Sequence, residues 1–166
     1  MAVLGRPYRI AGLLLAVLAF LSPITQAQSS KEPAVFVPQT HIRVYFTPGD
    51  SAESAIVEQL LGAKDSILVQ AYSFTNPAIA AALVSAQQRG VRVVILLDKS
   101  HRTQKYSAAD FTSHGGVETL IDDRHAIAHN KIMILDGRVV ITGSYNFTKA
   151  AERNNAENLV IIDSPD

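Results

Sequence analysis

The chain contains no cysteine. That excludes a disulfide scaffold and every zinc site built on thiolates. Positive charge is not in excess either: 15 Lys and Arg stand against 15 Asp and Glu. A globally basic nucleic-acid binder is therefore excluded, and attraction for a phosphate backbone has to come from a local patch. Only one apolar run is extended, Ile10 to Leu21, and it falls short of the roughly 20 residues of an ordinary membrane span. There is no internal repeat and no low-complexity segment. Gly62-Ala63-Lys64-Asp65-Ser66 lacks the glycine-rich lead-in of a phosphate loop.

What is present begins with an address. Arg6 and Arg9 precede the apolar run, Pro23 breaks it, and Thr25-Gln26-Ala27 puts small residues where a signal peptidase reads. Residues 1–27 are expected to be a secretory signal peptide, cut after Ala27. The expected location is periplasmic or secreted, with no stable membrane span after cleavage. Cleavage removes two arginines and no acid, leaving 13 basic against 15 acidic residues, a net −2. Residues 28–39 read as a linker and 40–166 as the folded domain.

Within that domain strands alternate with helices. His41–Phe46 alternates like a strand. Asp50–Lys64 reads as a helix, with Asp50 and Glu53 spaced as a capping box. Ser66–Phe74 is a strand, and Asn76-Pro77 opens a helix that Gly90 ends. Val91–Leu97 is a nearly continuous apolar strand, as expected when both faces are covered. A helix over Ser107–His114, a strand over Val117–Ile121, a hairpin, a short helix from Phe147 and a strand over Asn158–Ile162 complete the pattern. The expected fold class is α/β: a mixed β-sheet flanked by helices on both faces, with an antiparallel hairpin.

The hairpin carries the chemistry. It reads His129-Asn130-Lys131, four apolar residues, Asp136-Gly137, an apolar run, then Gly143-Ser144-Tyr145-Asn146. Residues two apart on a strand share a face, so His129 and Lys131 pair an imidazole with a fixed positive charge. Asp136-Gly137 signals a two-residue type I′ turn. That register sets Leu135 opposite Arg138, Lys131 opposite Thr142 and His129 opposite Ser144, with Asn146 on the same side. Taken singly, each residue is unremarkable. Together they form a set suited to holding and attacking a phosphate ester. The register puts Asp136 in the turn, roughly 20 Å from His129 at about 3.3 Å per residue, so its expected role is structural. His125 and His129 have a spacing that suits a metal only on a helix, and the local pattern is not helical. No metal and no cofactor are expected. Lys99, His101, Arg102 and Lys105, with Lys149 and Arg153 near the motif, are the candidates for a local basic patch. Of these, Lys99, Arg102 and Lys149 are expected to bind substrate.

HxKxxxxD followed by GSxN resembles the signature of the phospholipase D superfamily. From His125 to Ile162, including Asn155-Ala156-Glu157-Asn158, the chain is similar to that superfamily's small, single-motif bacterial endonucleases. The likeness extends more loosely back to Thr40. It implies a phospholipase D-like α/β sandwich. It also implies a homodimer, because two-motif members place two His–Lys pairs around one phosphate and no second HxK occurs here. The implied roles are His129 as nucleophile on one chain and acid on the other, and Lys131 and Asn146 as donors to the phosphate oxygens. Glu157 would hold the outer ring nitrogen of the histidine, and Ser144 would bond the phosphate or the nucleophile. Members of the family commonly continue into a C-terminal helix, and the resemblance leads one to expect that the 40–166 domain lacks it.

The expected activity is a metal-independent endonuclease without strong sequence preference, acting on DNA or RNA through a phosphohistidine. Two alternatives stand beside it: a phospholipase D or cardiolipin-type lipid phosphodiesterase, and a truncated copy that binds phosphate without turnover. A cationic groove would favour nucleic acid; an apolar lip would favour lipid.

Overall fold

The computed structural model describes residues 39–104 and 107–165. The expected signal peptide, nearly all of the linker and Lys105 lie outside the described residues. The elements run β1 (His41–Thr47), α1 (Ala52–Gly62), β2 (Ser66–Ala71), α2 (Pro77–Gln88), β3 (Arg92–Asp98), a 3-10 turn (Lys99–Arg102), α3 (Ala109–His114), β4 (Glu118–Asp122), β5 (Lys131–Leu135), β6 (Val139–Gly143), α4 (Lys149–Arg153) and β7 (Glu157–Asp163).

Local chemistry explains the boundaries. Asn76 caps α2, its Oδ1 accepting from the backbone N–H of Ala78 at 2.9 Å and of Ile79 at 3.3 Å, and Pro77 fills the first turn, where no N–H is needed. The expected Asp50–Glu53 capping box is not formed. Asp50 instead accepts from the Phe46 N–H at 2.7 Å and closes the turn after β1, so α1 starts only at Ala52. Glu53 is drawn inward, its carboxylate bonded by the Asn76 amide.

The seven strands form one mixed sheet in the order β1-β7-β6-β5-β2-β3-β4. The pairs β2–β3 and β3–β4 are parallel, and the other four are antiparallel. One face is buried: Ile67, Val69 and Ala71 of β2, Val93, Ile95 and Leu97 of β3, and Met133, Ile141 and Ile161 beyond them join Ile56, Leu60, Ile79 and Leu83 of the helices in a single core. Each buried aliphatic side chain contributes about 1.5–3 kcal/mol to folding. Among the described residues α1, α2 and α3 pack side by side on that face. Among the described residues the opposite face, for which the sequence also leads one to expect helices, leaves Ile42, Val44, Phe46, Leu68 and Leu120 exposed.

The β5–β6 hairpin departs from its expected register by one residue. Asp136 and Gly137 do take positive φ, +53° and +67°, and the Arg138 N–H bonds the Leu135 carbonyl at 2.9 Å, as in a type I′ turn. Pairing resumes one residue later, at Leu135↔Val139, and continues to Ile132↔Thr142. Arg138 is thus an extra residue on the β6 side, a bulge that shifts every later partner. Its guanidinium pairs with Asp163 on β7, Nε to Oδ1 at 2.5 Å.

Asp136 has a separate task at this end of the sheet. Its carboxylate accepts from the backbone N–H groups of Lys64 (2.9 Å), Asp65 (2.8 Å) and Ser66 (2.9 Å), tying the hairpin turn to the α1–β2 loop. Burial works against its ionised form. The three N–H donors and the charge of Lys64 outweigh that and hold the carboxyl below its ordinary range.

Candidate active site

The strand directions bring the other end of the sheet into use. β5 runs antiparallel to β2, so Lys131 at its start lies beside Ala71 at the end of β2. Gly143 at the end of β6 lies beside Leu159 near the start of β7. One edge therefore collects Tyr72 after β2, Asp98 ending β3, Asp122 ending β4, His129 just before β5, Ser144 and Asn146 just after β6, and Glu157 opening β7. It is the carboxyl edge of the parallel strands, where open α/β sheets usually bind ligands.

The loop that delivers His129 is pinned by two carboxylates. Asp98 accepts from Ala128 N–H at 2.8 Å and Ser100 N–H at 2.9 Å. Burial opposes its charge, but those donors prevail and bring the carboxyl down to about 2. Asp122 takes the N–H groups of Arg124 (3.0 Å) and His125 (3.2 Å) and the His125 ring nitrogen (2.7 Å). His125 is thus turned toward Asp122, and it does not line the cavity that His129 lines.

Lys131 is buried at 8% exposure. Its Nζ lies 2.8 Å from the His129 carbonyl oxygen and 3.2 and 3.3 Å from the two ring nitrogens. Burial pushes the ammonium below its ordinary value, and the charge of Glu157 partly restores it. Tyr72 packs against both groups, with its ring 4.4 Å from the His129 imidazole and 5.1 Å from Lys131 Nζ.

Gly143 decides how the second half of the motif arrives. Its φ is +146°, and a Cβ there would lie 2.2 Å from the Asn158 carbonyl oxygen, so no side chain fits. β6 ends there, and the N–H groups of Ser144 (3.1 Å) and Tyr145 (3.2 Å) both turn to that carbonyl. Tyr145 then goes fully into the core, its hydroxyl donating to Glu152 at 2.9 Å. Phe147 is also fully buried, edge-on to Phe74. Ser144 and Asn146, between them in sequence, face a cavity of about 470 Å³ lined by His129, Lys131, Gly143, Ser144, Asn146 and Glu157. The bulge should have turned His129 and Ser144 to opposite faces. They meet because both lie beyond the ladder.

Partners within the cavity differ from those expected. Ser144 donates to Glu157 Oε2 at 2.6 Å and accepts from Asn158 N–H at 3.0 Å. The other Glu157 oxygen takes the Asn155 amide at 3.0 Å. Ser144 therefore orients Glu157 rather than presenting a free hydroxyl. Neither Glu157 oxygen is bonded to His129 among the described residues. Among the described residues Asn146 Oδ1 is buried without a partner.

Among the described residues the basic patch does not assemble at this cavity. Lys99 donates to the His125 carbonyl at 3.2 Å, Arg102 pairs with Asp123 at 2.8 Å, and Lys149 is an exposed residue opening α4; none lines the cavity. His101 is buried, its Nε2 donating to the Tyr72 carbonyl at 3.0 Å and its Nδ1 2.6 Å from Ser107 Oγ. Burial pushes its imidazole below the ordinary value, and the buried ring lies away from the surface. Sequence reasoning missed Tyr72 and Asp98. Each looks like the end of an ordinary apolar strand, and only the pairing with β5 and its approach loop gives it a role.

The family described as "Cardiolipin synthase, PLD-like domain" matches residues 56–166. The chain belongs to the phospholipase D superfamily. The solved structure of Nuc from Salmonella typhimurium, a phospholipase D family member, superposes with a TM-score of 0.73 at 40% identity, covering 76% of this chain and 84% of that one. A phospholipase D of Rickettsia typhi is 41% identical over 145 residues, 87% of this chain and 70% of that protein. A mitochondrial cardiolipin hydrolase of Xenopus laevis is 32% identical over 165 residues, 93% of this chain and 79% of that protein. The chain spans 62% of the Rickettsia bellii phospholipase D. The superfamily and the His–Lys cavity together support a phosphodiesterase.

Proposed function

We propose that the chain is a metal-independent phosphodiesterase that cleaves nucleic acid, DNA or RNA, through a phosphohistidine on His129. The observation that carries the chemistry is the convergence of the His129 imidazole and the Lys131 ammonium in one open cavity with Asn146 and Glu157. A His nitrogen attacks phosphorus while the bond to the leaving oxygen breaks. Lys131 and the Asn146 amide stabilise the charge on the non-bridging oxygens. An ammonium at the centre of the site repels a divalent cation, so the donor set favours chemistry without a metal.

The leaving oxygen needs a proton, and one imidazole cannot be nucleophile and acid in the same step. A C2 homodimer with the cavity on its axis supplies the second His129 from the partner chain. That imidazolium protonates the leaving group. As a neutral base it then takes a proton from the water that attacks phosphorus and releases the first histidine. Glu157, held by Ser144 and Asn155, supplies the negative charge that faces these cations.

Nucleic acid is favoured because no apolar side chain lines the cavity: its six residues are His, Lys, Gly, Ser, Asn and Glu. A lipid reading has its own support in Ile127, 61% exposed and two residues before His129, and Phe46, 63% exposed near the same sheet edge. Some relatives are also named for lipids. The test is purified protein lacking residues 1–27, incubated in EDTA with plasmid DNA and, in parallel, with cardiolipin vesicles. Nicked and linear DNA with intact lipid is expected. The reverse result establishes the lipid reading, and binding without hydrolysis of either establishes an inactive copy. We further propose that the protein acts outside the cytoplasm. N-terminal sequencing of the exported form should begin at Gln28, and a mature form beginning at Met1 would overturn this.

A further inference from the structure

His129 is exposed and sits in a loop, so its ring needs something to hold it. Among the described residues the expected carboxylate does not bond it: Glu157 is bonded by Ser144 and Asn155. Lys131 does not select an orientation either, because its Nζ is nearly equidistant from Nδ1 and Nε2, at 3.2 and 3.3 Å. Against the imidazole lies the Tyr72 ring, 4.4 Å away and tilted by 50°.

The Tyr72 backbone that carries the ring is held from both sides. The Tyr72 N–H donates to the Asn130 carbonyl at 2.9 Å, which ties it to the residue after His129. Its carbonyl accepts from His101 Nε2 at 3.0 Å, and His101 is buried and fixed in turn by Ser107 at 2.6 Å. Among the described residues the phenol oxygen has no hydrogen-bond partner, so the aromatic face makes the contact. The same face lies 5.1 Å from Lys131 Nζ, within the range of a cation–aromatic contact.

We propose that Tyr72 is the positioning residue of this site: its ring holds the His129 imidazole and the Lys131 ammonium in the geometry needed for in-line attack on phosphorus. The inference rests on His129 being the nucleophile. Pre-orienting a nucleophile raises the rate of the chemical step and leaves substrate binding nearly unchanged, and a displacement of about 1 Å costs on the order of 100-fold.

The test compares wild type with Tyr72→Phe, Tyr72→Leu and Tyr72→Met on bis(p-nitrophenyl) phosphate, with thermal midpoints measured alongside. Phe keeps the face and should keep kcat within about two-fold. Leu and Met keep apolar bulk but lose the face; kcat should fall by about 10- to 100-fold with KM within about three-fold. Equal loss in Phe and Leu would overturn the proposal in favour of the hydroxyl. Wild-type kcat in Leu and Met, or losses that merely follow the folded fraction, would overturn it outright. A second readout does not depend on turnover. The His129 ring protons should show an aromatic ring-current shift in wild type and Phe that collapses in Leu. Its absence in wild type refutes the contact, whereas its presence in a protein that fails to hydrolyse the diester refutes only the proposed function.

Discussion

Replacing Asp136 by Asn should damage stability and spare catalysis. In the folded protein Oδ1 accepts from Asp65 and Ser66 N–H, and Oδ2 from Lys64 N–H. Asparagine tolerates the +53° φ, so the turn itself survives. Its amide keeps one oxygen for two donors but points an NH₂ group at the third, and the charge that strengthened all three bonds is gone. Hydrogen bonds to charged groups contribute about 1.5–3 kcal/mol each. Water reaches this loop, so the net loss is placed lower, at about 1–2 kcal/mol. For a domain of this size that is a fall of about 3–8 °C in Tm. The difference also has a pH signature. The folded carboxyl lies below its ordinary range, so the stabilisation is fully present above the unfolded value near 3.9 and is lost as pH falls through the folded value. Melting curves of the two proteins should therefore differ by a constant amount from about pH 5 to 8, begin to converge near pH 4 and meet only below the folded value. Turnover of a chromogenic diester at 25 °C should remain within about three-fold, because the turn lies at the far end of β5 from His129. Unchanged melting with abolished kcat would refute this reasoning and put Asp136 at the phosphate.

Activity should survive EDTA; complete loss in chelator with rescue by magnesium or zinc would sink the metal-free chemistry. His129→Ala should abolish turnover with the fold intact by circular dichroism, since it removes nucleophile and acid together. Even a few per cent residual rate in a pure sample would reassign the nucleophile. Sedimentation should find the active species to be a dimer, and a fully active monomer at assay concentration would remove the shared site. Glu157→Gln should lower kcat on the order of 100-fold, because it removes the negative charge facing Lys131 and the imidazolium without breaking a bond to His129. Ser144→Ala should cost less, about 10-fold, because Asn155 still holds one Glu157 oxygen; equal losses in the two would mean that Ser144 itself touches the phosphate.

Much of the site was legible because its residues are close in sequence and strand geometry is regular. The His129–Lys131 pair, the Asp136-Gly137 turn and the alternation of Ser144 and Asn146 with the buried Tyr145 and Phe147 need only local rules. The register was not legible. A turn motif fixes φ at two residues, but the Arg138 bulge adds a third, and its guanidinium is held by Asp163 from another strand. Ser144 and Glu157 were both identified as site residues, while their mutual bond was not, because it forms between the ends of two strands paired through long-range contacts.

The sequence alone determined the superfamily signature, the alternation of strands and helices, and the identity of the groups that can do phosphate chemistry. These follow from local periodicity, turn chemistry and side-chain type. The tertiary structure decided which carboxylate orients what. It made Asp136 a tether for the α1–β2 loop, gave Glu157 to Ser144 and Asn155, and set Tyr72 rather than an acid against the His129 ring. It also dispersed the basic residues, tying Lys99 to a carbonyl and Arg102 to Asp123 and burying His101. The physical reason is common to all of them. Hydrogen bonds and ring contacts act over about 3–5 Å, and which groups come that close depends on the order in which strands join the sheet, which local sequence does not encode.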